Sequence, residues 1–138
     1  MKLIPSLLLI CLLFSVGCQN DDETAPPNPL SEVGILGQWE IQQRSYGGIA
    51  PLLPFCCQFF EFKDDEAPDD LTGLYKYEGD IYTDNNEGTF TIDLQNTTIL
   101  LEREDKQFLL SYQIDSTSLT LNYDEGGVEI EEVWRKLE

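Results

Sequence analysis

From residue 37 onward, apolar and polar positions alternate along this chain, and the alternation restarts after each cluster of turn residues. Period two marks a strand with one buried face, because successive side chains point to opposite sides of a pleated backbone. GQWEIQQRSY sets Trp39 and Ile41 on one face against Gln38, Glu40 and Gln42, and Gly47-Gly48 ends the run. PLLPFCCQFFEF enters past two prolines and puts Phe60 and Phe62 on the face of Cys56. After the acidic loop DDEAPDD, LTGLYKYEGDIY carries Leu74 on one side and Tyr75 with Tyr77 on the other. Gly79 marks a bulge or bend inside it.

TDNNEG then turns the chain into its cleanest alternation, with Phe90, Ile92 and Leu94 inward and Thr89, Thr91 and Asp93 outward. QNTTILLER continues beyond a tight turn. FLLSYQI groups Phe108, Leu110, Tyr112 and Ile114, and LTLNY groups Leu119, Leu121 and Tyr123. The last run, VEIEEVWRKL, breaks phase. Strict parity with Val128 and Ile130 buries Glu132, whereas a bulge near Glu131-Glu132 brings Val133 into line and leaves Trp134 free to take either side. About eight short strands with tight connections predict an all-β fold, a small antiparallel up-and-down barrel over residues 34–138 that exposes no edge. A sandwich fits the same alternation, but hairpin-length connections do not require Greek-key crossovers.

The first 17 residues belong to another regime. Lys2 precedes LIPSLLLICLLFSVG, an apolar run that reads as a secretory signal peptide, short of the roughly 20 residues of a comfortable membrane span. It ends Ser15-Val16-Gly17-Cys18, a cysteine behind small residues, which resembles the lipobox of bacterial lipoproteins. The resemblance implies cleavage between Gly17 and Cys18 and attachment of acyl chains such as palmitate to Cys18. Two or more chains hold firmly where one binds only marginally. Gln19-Asn20-Asp21-Asp22-Glu23 resembles the acidic export signal of Bacteroidetes surface lipoproteins, which implies the outer membrane and its outer face. Residues 18–33, with Pro26, Pro27 and Pro29 among acidic and small residues, read as a lipidated terminus and flexible spacer.

Charge narrows the partners. From Cys18 onward the chain holds all 26 acidic residues and only seven of the eight basic ones, so nucleic acid is excluded as a partner for want of phosphate-neutralising side chains. Direct docking on anionic lipid is disfavoured too, and the membrane is reached through the lipid anchor. The sequence has no histidine, which removes the commonest general base and metal ligand. Cys56-Cys57 cannot make a zinc site alone. They read as packed strand residues, with a vicinal or intermolecular disulfide as the alternatives.

LGQWEI at the start of the first strand carries a family resemblance. Gly37-x-Trp39, followed by GTFTI, FLLSYQID, SLTLNYDEGG and a closing aromatic-basic run, resembles the small lipocalin-like domains found as bacterial lipoproteins. The resemblance implies that Trp39 closes one end of the barrel and that Arg135 packs across its ring, with Gly37, Trp39 and Arg135 serving stability. An eight-stranded barrel either fills with side chains or holds one small ligand. Phe60, Phe62, Phe90, Phe108 and Tyr112 are the expected interior residues, and their bulk tips the balance towards filled.

Catalysis would have to use carboxylates, tyrosines or serines, and Glu61 with Asp64 and Asp65, or Glu129 with Glu131, are the carboxylate pairs on offer. Solvated acid on loops and strand faces accounts for them, and no catalytic residue, metal or cofactor is assigned. Asp84, Asn86 and Glu87, and the acids between 64 and 70, match no EF-hand register. The expectation is a non-catalytic envelope lipoprotein binding a small apolar molecule or a glycan. The alternative is an accessory lipoprotein whose filled barrel binds another envelope protein.

Overall fold

The structure, a computed structural model, describes residues 28–50, 57–67, 70–79 and 86–138. The signal peptide, Gly17, Cys18, Cys56 and Asp84 lie outside the described residues.

A short helix, α1 (Pro29–Val33), opens the folded unit. Its start and stop are written locally. The Asn28 side-chain oxygen accepts from the Leu30 N–H at 2.8 Å, and Pro29 sits where a helix needs no N–H donor. Gly34, at φ 84°, ends the turn and donates to the Leu30 carbonyl at 3.1 Å. Leu30 and Ile35 are fully buried in the core. Residues 28–33, expected to belong to the spacer, are therefore part of the folded unit.

Eight strands follow: β1 (Gly37–Tyr46), β2 (Phe59–Asp64), β3 (Thr72–Glu78), β4 (Asn86–Asp93), β5 (Thr98–Arg103), β6 (Lys106–Ile114), β7 (Ser118–Glu125) and β8 (Val128–Lys136). Each pairs antiparallel with the next and β8 returns to β1, closing the barrel in chain order. The up-and-down barrel read from the alternation is the architecture found. Asp93 and Asp115 shape two of its turns by accepting backbone N–H bonds, from Gln95 at 2.9 Å and from Thr117 at 2.8 Å.

One half of the interior is solid. Trp39, Ile41, Phe62, Phe90, Ile99, Leu119 and Trp134 are buried there, each apolar side chain contributing on the order of 1.5–3 kcal/mol. Phe62 and Phe90 meet edge to face at 5.2 Å. Gly73, opposite Phe90, makes that possible. A Cβ there would come 2.4 Å from the Lys63 carbonyl oxygen and 2.6 Å from the Phe90 ring.

Several expectations change. β8 keeps strict parity: Ile130, Glu132 and Trp134 face in, and no bulge rescues Val133. The irregularity falls on β1, where pairing with β8 shifts between Ile41 and Gln43. The extra residue, Gln42, re-aims the strand so that Arg44 lies opposite Glu132. Arg135 points outward to Glu40 at 2.7 Å, and Lys136 lies over the Trp39 ring at 5.1 Å from its centroid. The reason is again parity: the inward Trp134 forces Arg135 out and returns Lys136 to the side of Trp39, its register partner. Lys136 also donates to the Gly34 carbonyl at 2.8 Å. Gly37 stands at φ 120°, and a Cβ there would meet the Lys136 side chain at 3.3 Å, so the Gly37-x-Trp39 pair makes room for a lysine. Leu94 turns outward after β4 ends, and Cys57 is exposed before β2 at φ 72° instead of packing within a strand.

Candidate functional site

The other half of the barrel is open. A cavity of ≈ 330 Å³ lies at the end formed by the C-terminal parts of β1, β3, β5 and β7 and the N-terminal parts of β2, β4 and β6. That places it at the low end of ligand-pocket sizes, roughly 300–1,000 Å³. Its wall is aromatic and aliphatic, with Tyr46, Phe60, Tyr75, Tyr77, Phe108 and Tyr123 joined by Leu101, Leu110 and Leu121. Phe60 separates the halves: its ring meets Trp134 at 4.9 Å and Tyr77 at 5.1 Å.

A polar network is set into this wall. Arg44 donates from Nε to Glu132 Oε1 at 2.7 Å, and its Nη2 lies 2.6 Å from the same oxygen. Nη2 also donates to Gln58 Oε1 at 2.9 Å, and that oxygen accepts from the Tyr77 hydroxyl at 3.0 Å. Tyr123 donates to Glu132 Oε1 at 2.9 Å and the Trp134 indole to Oε2 at 3.1 Å. Glu132 and Gln58 are buried, so each bond replaces water that burial has removed. Burial opposes the Arg44 charge, but the Glu132 carboxylate outweighs it and holds the guanidinium above its ordinary value. Burial first, and then the Glu132 charge, pushes the Tyr123 hydroxyl well above the ordinary tyrosine range. Burial likewise raises Tyr75, partly offset by Arg103. The network is a bonded ion pair framed by two tyrosine hydroxyls.

The expected interior residues divide between the two halves. Phe60 and Phe108 line the cavity, Phe108 at its mouth with 43% of its surface exposed. Phe62, Phe90 and Tyr112 are buried but belong to the solid half. Arg44, Tyr46, Tyr75, Tyr77, Tyr123 and Glu132 were not expected as a site. Part of the signal was present: inward-parity tyrosines recur near one end of β3 and β7, whereas Tyr46 shares the outward parity of Arg44 until the extra residue in β1 re-aims both. The carboxylate pairs that the sequence offered do not assemble. Glu129 and Glu131 are both exposed on β8. Glu61 pairs with Lys63 at 2.9 Å, and that hydrogen bond holds its carboxyl below the usual range. Asp64 accepts from Asn28 at 2.5 Å at the closed end. Among the described residues, no three Asp, Glu, Cys or His side chains come together in a group that could hold a metal.

No family model matches the chain, and no curated protein matches it in sequence. Among solved structures, a mutant of the fluorescent protein UnaG is similar with a TM-score of 0.48 and 11% identity, over 74% of this chain and 95% of that one.

Proposed function

We propose that this chain is a lipid-anchored, non-catalytic lipoprotein of the bacterial outer membrane, of lipocalin-like kind, that binds a small molecule in the open half of its barrel. The carrying observation is the ≈ 330 Å³ cavity, walled by aromatic and aliphatic side chains and holding a few convergent polar groups. A barrel built only for stability gains nothing by leaving a cavity of this size at one end, because voids forfeit packing. The lipobox-like Ser15-Val16-Gly17-Cys18 supports the anchor. Native mass spectrometry of the protein released from its own envelope tests the reading. A bound small molecule of constant mass supports it, and a ligand-free barrel sinks it. The same spectra test the anchor: the mature chain should begin at an acylated Cys18, and Cys18→Ser should remain unprocessed.

One observation favours a protein partner as a second reading. Tyr46 and Ile49 are bridged at the rim, the Gly47 N–H donates to the Glu129 carbonyl at 2.8 Å beside Val128, and all three apolar side chains are exposed. A reproducible protein complex in the same spectra would carry that reading.

A further inference from the structure

The polarity of the cavity specifies a ligand class. Among the described residues lining it, Arg44 is the sole cation, and its guanidinium is already engaged by Glu132 and Gln58. An acidic ligand seeking Arg44 would have to displace a buried carboxylate that also holds Tyr123 and Trp134, leaving that carboxylate uncompensated. A second acid, Glu125, lines the same cavity, so carboxylates outnumber cations in the wall. Six aromatic rings present faces and edges to the space, and ring faces attract positive charge. The whole chain, at a formal charge of −18, draws cations towards the mouth and repels anions. We propose that the cavity selects an organic cation, an amine or quaternary ammonium on an apolar body, over an acid of the same shape. This rests on the reading of the open half as a ligand site. Arg44 is then a framework residue that occupies the Glu132 carboxylate through their ion pair, and the ligand's charge settles among the rings on the Glu125 side.

A matched series separates the possibilities: 4-phenylbutylamine, 4-phenylbutanol and 4-phenylbutanoate, titrated calorimetrically into the full chain in nanodiscs of zwitterionic lipid, with empty discs as reference. The amine should bind at least about tenfold more tightly than the carboxylate, a difference of about 1.4 kcal/mol. Glu125→Gln, a change at an exposed position, should shrink that ratio severalfold. A carboxylate or alcohol binding as tightly as the amine, or a preference indifferent to Glu125→Gln, overturns the charge selection and leaves the ligand site standing. Failure of all three probes, with a ligand-free barrel in native mass spectra, overturns the site itself.

Discussion

Arg44 and Glu132 face each other across the β1–β8 pairing, 2.6 Å apart, with 16% and 5% of their side-chain surfaces exposed. Their proximity depends on the extra residue in β1, since without Gln42 the parity that buries Ile41 would leave Arg44 outside. Removing one partner strands a buried charge. Glu132→Leu is expected to cost about 3–5 kcal/mol, whereas Arg44→Met combined with Glu132→Leu should recover most of that loss. Urea midpoints of the singles and the double decide it, and a double no better than the worse single would mean that the pair does not govern stability.

At the closed end the expected losses rank by position. Trp39→Ala should cost about 3–5 kcal/mol, as for other buried aromatics. Lys136→Ala, which loses the ring contact and the Gly34 bond, should cost about 1–2 kcal/mol. Arg135→Ala, at an exposed ion pair, should stay within about 1 kcal/mol. Thermal midpoints in which Arg135 mattered more than Lys136 would contradict the observed packing.

Gly88 faces Tyr75 across β3 and β4, and a Cβ there would lie 2.0 Å from the Glu102 carbonyl oxygen. That neighbour is backbone and cannot swing aside. Gly88→Ala should therefore destabilise by at least about 1–3 kcal/mol, seen as a lowered urea midpoint.

The network also sets an alkaline limit. Because the fold raises the Tyr123 pKa, folding favours its protonated form. Its contribution is fully present below the ordinary tyrosine value, about 10, and is lost as pH rises from there towards the folded value. Stability measured across that alkaline range should fall, and Tyr123→Phe should flatten the fall. Tyr75 and Tyr112 shift in the same direction through burial, so the flattening should be partial.

The barrel was legible because most strands obey a single rule, apolar in and polar out. Phe62, Phe90, Ile92 and Tyr112 follow it, and their faces could be read directly. The candidate site was harder to read because it breaks the rule. Glu132 inside looked like an error of phase, and a bulge in β8 was the natural repair. The chain instead keeps β8 regular and bulges β1, because an inward arginine there turns a misplaced acid into a bonded one. Alternation within one strand cannot reveal such compensation, which exists only between strands distant in sequence. The cation at the Trp39 ring is hard to read for a related reason, since one residue of register decides whether Arg135 or Lys136 meets it.

The chain enters the barrel through Asn28 and α1, at the solid end, and this bears on which way the barrel would look if the proposed anchor holds it. From Cys18 to Asn28 there are ten residues, a reach of at most roughly 36 Å when fully extended. A membrane holding Cys18 would meet the solid end first, with the mouth turned towards the surroundings. A guest would then arrive from the aqueous side and not by sliding up from the bilayer below, which makes such a molecule a sampler of what drifts past its cell.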